Sequence, residues 1–185
     1  MKESLNAGHG LGSEIGYTPG GILAPLHATG KWKIEIFDPD GNLILEDEWE
    51  NLVTTEGKNY LLSAGLDGGA QTTTWFVGLT DGTPTVAAGD TMASHAGWVE
   101  VQAYTEAARP AWTGGTAAAG SIDNSAAKAS FSVNADATTI GGAFLTSVST
   151  KGGATGTLYS AGAFSGGDLV LNNGSTLDVT ATFTV

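Results

Sequence analysis

The residues able to do chemistry are few, and their spacings fail one by one. The chain has three histidines, His9, His27 and His95, and no cysteine. No two histidines stand at metal-ligand spacing, and thiolate ligands are absent from the sequence. His95 follows Ser94 directly, but a triad needs a base brought to a hydroxyl by the fold, and sequence adjacency does not supply that. His95 is therefore expected to be a turn residue held by backbone contacts. Asp38, Asp40 and Asn42 have the one-three-five spacing of a calcium loop. Leu43 then stands where that loop needs glycine and Trp49 where it needs a closing glutamate, so a hairpin turn is the better reading. Glu46, Asp47, Glu48 and Glu50 flank Trp49. Paired carboxylates beside a sugar-stacking indole are the parts of a glycosidase, but a charge run of this kind more often covers a solvated strand face. Its better use is as an acidic strip that docks on basic residues of a partner. The segments Gly65-Leu66-Asp67-Gly68-Gly69 and 151–157 are glycine-rich but lack the Gly-Lys-Ser/Thr ending of a phosphate loop. Arg109, the only arginine, is expected to pair with a carboxylate or to stack on Trp112. The sequence thus predicts no catalytic residue, no metal site and no cofactor.

Composition narrows the partners. Seven basic and 19 acidic residues give a formal net charge of −12. That balance opposes binding to a nucleic-acid backbone or an anionic membrane surface. It fits a protein kept soluble by like-charge repulsion, or one that docks on a basic surface. Charged residues make up 14% of the 185-residue chain, against about 25% in an average domain. With 41% apolar residues and 5 Trp, 4 Tyr and 6 Phe, the chain can fill a core, whereas a disordered chain has the opposite bias. The start of the chain lacks the apolar run of a signal peptide. No stretch is apolar enough for a transmembrane helix, so synthesis in a cytoplasm is expected.

These residues must be positioned by strands. Trp32, Ile34 and Ile36 alternate with Lys33 and Glu35, the period of a half-buried strand over 31–37. Asp38-Pro39-Asp40-Gly41 supplies a turn, and the chain returns from Asn42 through Val53. Residues 54–65 are the one helix candidate, with Thr54 or Thr55 as its cap, Glu56 in the first turn and Gly65 just past its end. Asp90 is expected to cap a single further helical turn. Strands are predicted at 72–80, 98–104, 109–113, 129–134, 139–148, 157–164 and 177–185. In the last, Leu177, Val179, Ala181, Phe183 and Val185 alternate with Asp178 and threonines. Short strands separated by glycine-rich turns predict one antiparallel β-sandwich, immunoglobulin-like or jelly-roll-like, over 31–185. Residues 1–30 show neither period and carry seven glycines. Yet Leu5, Leu11, Ile15, Tyr17, Ile22, Leu23 and Leu26 recur through them, which a plain linker would not need. They read as an extended N-terminal arm whose apolar residues lie on a partner.

Several segments carry a family resemblance. They are Gly30-Lys31-Trp32 with the 38–41 hairpin, and Asn51-Leu52-Val53 leading into Gly57-Lys58-Asn59-Tyr60-Leu61-Leu62. Further on come Thr74-Trp75-Phe76-Val77-Gly78-Leu79, the stretch from Ala87 to Trp98, and Tyr104-Thr105-Glu106 with Arg109-Pro110-Ala111-Trp112. From Gly30 onward the chain resembles small structural proteins encoded among the head genes of tailed bacteriophages and prophages. The resemblance implies a virion protein, a capsid decoration or cement protein. Its partner would be the major capsid protein, with self-association into small homo-oligomers on the capsid surface and no catalytic residue to carry over. The alternative is a tail or fibre component that binds a cell-surface glycan, with Trp49, Trp98 and Trp112 as exposed stacking platforms.

Overall fold

Strand β1 (Thr29–Phe37) alternates strictly, burying Trp32, Ile34 and Ile36 and turning Lys31, Lys33 and Glu35 outward. A strand of this period must lie on a core with one face only. The computed structural model describes residues 27–185. The arm residues Leu5, Leu11, Ile15, Tyr17, Ile22, Leu23 and Leu26 lie outside the described residues.

After β1 the chain passes through β2 (Leu43–Val53), α1 (Thr55–Leu66), β3 (Trp75–Asp81), β4 (Val99–Glu100), β5 (Ala111–Trp112) and β6 (Ser121–Asp123). It continues through β7 (Ala129–Ser132), β8 (Thr138–Ile140), β9 (Gly142–Thr146), β10 (Leu158–Ala163), β11 (Leu169–Leu171) and β12 (Thr176–Thr184). All pairings are antiparallel. The main ladder runs β4-β3-β9-β10-β2-β1-β12-β6, with β5 added on β3 and β7 on β12, while β11 and β8 form a separate pair. Among the described residues the fold is all-β with one helix, an antiparallel sandwich as expected.

β2 belongs to both layers. Residues 43–51 pair with β1, and Leu52 and Val53 pair with Ala161 and Ser160 of β10. The two inner faces then meet through aromatic rings. Trp32 stacks on its direct cross-strand partner Trp49 at 6.4 Å. Phe183 of β12 stands edge-on to Tyr159 of β10 at 4.9 Å and to Trp112 of β5 at 5.8 Å. Aromatic pairs of this geometry add about 0.5–1.5 kcal/mol each beyond their area burial. Burial among these rings pushes the Tyr159 phenol up to about 12.

α1 is fastened at its first turn. Thr54 is its N-cap, accepting from the Gly57 N–H at 3.0 Å. The Thr54 hydroxyl donates to the Leu158 carbonyl, and Glu56 accepts from the Leu158 N–H at 2.8 Å. Gly57 is buried against β10, where a Cβ would meet the Tyr159 carbonyl oxygen at 2.3 Å.

Several local expectations are corrected. Gly65 lies inside α1, and the C-cap is Asp67, followed by Gly68 at positive φ. Asp90 caps no helix, because its carboxylate accepts backward from the Ala87 N–H and the next residues form the Thr91–Ser94 bridge. β3 begins at Trp75 rather than Thr72, and the strands expected over 98–104 and 109–113 shrink to two residues each. The strand expected over 139–148 is two strands broken at Gly141, whose backbone closely approaches that of Gly82. β6 and β11 had too few residues to show a period.

Gly57→Ala separates propensity from packing. Helix propensity favours alanine by about 1 kcal/mol. The approach to Tyr159 opposes it, and overpacking of this kind costs about 1–3 kcal/mol. Urea unfolding should show a net loss of stability for the variant.

Candidate functional site

The acidic run resolves through the alternation of β2. Glu46, Glu48 and Glu50 point to solvent on one face, and Trp49 between them is buried. The expected four-residue strip is therefore three. Asp47 has the opposite parity and accepts from the Ser165 N–H at 3.0 Å, the Gly166 N–H at 3.3 Å and the Ser165 hydroxyl. It anchors the turn after β10.

The register extends the acidic row across the sheet. Glu46 lies opposite Glu35, which lies opposite Asp178, and Asp123 of β6 lies opposite Thr182. Lysines stand among them. Lys31 contacts Glu48 at 2.6 Å, Lys33 contacts Glu46 at 3.1 Å, and Lys128 pairs with Glu35. These three lysines share the outer side of β2, β1, β12, β7 and β6 with six carboxylates, so the face remains negative. Hydrogen bonding to Glu48 and Glu46 raises Lys31 and Lys33 above the usual lysine value. The bond from Lys128 holds Glu35 below the ordinary carboxylate range. The row could be guessed from the sequence. The compensating lysines needed the hairpin register and, for Lys128, a strand distant in sequence.

The other candidates find structural partners. Asp38 accepts from the backbone of Asp40 and Asn42 and from the Asn42 side-chain amide. Those bonds close the hairpin turn and lower the Asp38 carboxyl. Among the described residues no cluster of His, Asp or Glu is placed to hold a metal ion. His95 stacks on Trp98 at 3.7 Å, and its Nδ1 meets the Trp98 carbonyl at 3.1 Å. With a carbonyl as partner that nitrogen must carry the proton, which makes His95 the turn residue expected. Trp49 and Trp98 are each 6% exposed, and Trp112 is half-buried and donates its indole N–H to the Ala181 carbonyl. Trp49 and Trp98 therefore offer no stacking platform to a sugar. Glu46, Glu48 and Glu50 lie side by side on an open sheet, which is not the facing geometry of a glycosidase pair.

Arg109 is buried and holds Glu100 through two bonds, Nε to Oε1 at 2.8 Å and Nη2 to Oε2 at 2.7 Å. It also donates to the carbonyls of Val148 and Gly153, and Glu100 accepts from the Gly152 N–H. Its guanidinium lies over Phe144 instead of Trp112. The glycine-rich loop at 151–157 is thus folded around an ion pair. Sequence reading identified Arg109 and the kind of partner but not Glu100.

Arg109→Met should destabilise the domain by about 3–5 kcal/mol, because it strands a buried carboxylate. Arg109→Lys should recover little of this, since an ammonium cannot reproduce the two-pronged contact. Urea unfolding of both variants at neutral pH checks this.

The pair of Lys128 with Glu35 sets a pH dependence. Glu35 is lowered in the folded state, so its contribution is full above the unfolded carboxylate value of about 4.3 and disappears as pH falls through the lower folded value. Lys128→Met should cost up to about 1 kcal/mol at pH near 7. The difference from wild type should shrink as pH falls below the ordinary carboxylate range, because Glu35 is lowered in the folded state and loses its charge there.

Compared with protein-family models, with curated proteins and with solved structures, the chain matches none.

Proposed function

We propose that this chain is a virion structural protein without catalytic activity, a decoration or cement protein that binds the outside of a capsid shell and stabilises it. The observation that carries the reading is the acidic outer face of the β2–β1–β12 sheet, with Glu46, Glu48 and Glu50 in a row along β2. A row of exposed carboxylates on paired strands is already ordered before contact, so little entropy is lost when a basic surface meets it. Electrostatic complementarity of this kind steers encounter and sets register. The resemblance of residues 30–185 to phage head-associated proteins supplies the setting, and the major capsid protein is the partner. The arm at 1–30 extends the contact, because an extended segment with spaced apolar residues covers much surface for its length. Small homo-oligomers on the shell fit the same setting.

The test is binding of purified protein to heads assembled without it, read by co-sedimentation. The combined variant Glu46→Gln, Glu48→Gln, Glu50→Gln should weaken binding at least about ten-fold, equal to 1.4 kcal/mol. Wild-type binding should also weaken as salt rises, because exposed charges are screened beyond about 8 Å at physiological ionic strength. A variant that binds like wild type at every salt concentration would remove the acidic face from the interface.

A further inference from the structure

Where β3 begins and β5 ends, two tryptophans stand side by side. Trp75 and Trp112 are direct cross-strand partners, so their side chains leave the sheet on the same face. Both are half-buried. With Ile122 of β6 they form the common wall of two adjoining hollows. The inner one, about 190 Å³, reaches Leu145, Tyr159 and Phe183. The outer one, about 370 Å³, is bounded by Thr72, Thr73, Thr74 and Thr113. Pockets that hold small ligands begin at about 300 Å³ and combine aromatic walls with a few polar groups.

The two rings are fixed by the fold itself. Trp112 donates its indole N–H to the Ala181 carbonyl at 3.1 Å and stands edge-on to Phe183. Trp75 meets Tyr60 and Tyr159 at 5.0 and 5.4 Å, with the rings steeply crossed. The Tyr60 hydroxyl accepts from the Thr72 N–H at 2.7 Å, which ties the threonine segment to α1. Gly114 leaves the space that the Trp112 ring occupies, since a Cβ there would lie 2.6 Å from Cη2. A site ordered in this way loses little entropy on binding.

The lining selects the ligand. Although the chain has a net charge of −12, none of the residues around either hollow is charged. A charged ligand would lose water there without meeting a countercharge, so a neutral occupant is favoured. Thr73, Thr74 and Thr113 are exposed, and each hydroxyl can both donate and accept. An indole adds a flat apolar face with a negative quadrupole, which suits polarised C–H groups. Together these match a sugar ring, with C–H groups on its face and hydroxyls around its edge. A peptide would instead bring carbonyls, and the Trp112 N–H that could meet one is already bonded.

We infer that this groove binds a neutral saccharide, with one sugar ring against Trp75 and Trp112 and its hydroxyls on Thr73, Thr74 and Thr113. The groove shares no residue with the acidic face of the sheet and does not depend on the decoration reading.

The test is NMR titration of the full chain with neutral oligosaccharides of glucose, galactose, mannose and N-acetylglucosamine, and with hexuronic acid oligosaccharides as charged counterparts. At least one neutral saccharide should bind about ten-fold or more tighter than every acid. Replacing two hydroxyls in the combined variant Thr74→Val, Thr113→Val should weaken that binding about ten-fold, the value of two modest hydrogen bonds. The urea midpoint of the variant should match wild type, because both residues are exposed. No binding of any neutral saccharide, equal or tighter binding of an acid, or a valine variant that binds like wild type overturns the inference. A proline-rich peptide that binds where no saccharide does would overturn it too. Capsid binding enters none of these readings, so failure here is distinguishable from failure of the decoration reading.

Discussion

The buried pair of Arg109 and Glu100 is the constraint on which the irregular half of the domain depends. Long segments between β4 and β5 and between β9 and β10 lack a continuous ladder, so their backbone groups need other partners. Arg109 supplies donors to Val148 and Gly153, and its own N–H bonds the Ser149 carbonyl. Glu100 takes the Gly152 N–H. One ion pair therefore closes a loop that contains two consecutive glycines. Nearby, Lys151 sits over the Tyr104 ring and donates to the Tyr104 carbonyl. Burial raises the Tyr104 phenol well above its ordinary value, and the Glu100 carboxylate nearby adds to the rise. A buried ion pair contributes little net stability compared with a well-packed apolar pair, but breaking one leaves an uncompensated charge. Its importance here is conformational, since it selects one arrangement for loops that glycine would otherwise leave free.

The opposite half is organised by strand alternation. β1 lies between β2 and β12, and its inward Trp32 meets Trp49 of β2 on one side and Phe183 of β12 on the other. Its outward residues are two lysines and a glutamate, set against glutamates on β2 and against Thr182, Thr180 and Asp178 on β12. Exposed ion pairs of this kind contribute about 0–1 kcal/mol each. Their larger effect is to hold a charged surface in order. The core and the acidic face are thus the two sides of the same strands, and a one-residue slip in register would exchange them.

β2 shows how packing and surface charge meet in one element. Trp49 is inside, against Trp32 and Phe164, while Glu48 and Glu50 on either side face solvent. Asp47 has left the acidic row to hold the turn after β10, and Leu52 and Val53 carry the strand into the second layer. At the other end of the molecule, hydrogen bonds at its first turn tie α1 to β10. The leucines further along it line an apolar opening.

Much of this was legible in the sequence because alternation and turn chemistry are local. The periods of 31–37 and 177–185 announced strands with one buried face. Asp38-Pro39-Asp40-Gly41 announced the hairpin, and Thr54 announced the start of the helix. The same locality explains the failures. Gly65 read as a helix end because glycine ends helices, but α1 runs on to Leu66. Asp90 read as a cap, but its carboxylate had a nearer partner behind it. β4 and β5 are two residues long because their extent depends on pairing with β3, and β6 on pairing with β12. By itself the sequence determined an all-β class, the hairpin, the helix start and the presence of an acidic run. Only the tertiary structure decided that Asp47 leaves that run, that Lys128 enters its face and that Glu100 receives Arg109. Asp47 and Lys128 meet residues remote in sequence, and Arg109 meets Glu100 across the loop between β4 and β5. Such contacts follow from register and layer packing, which no local pattern encodes.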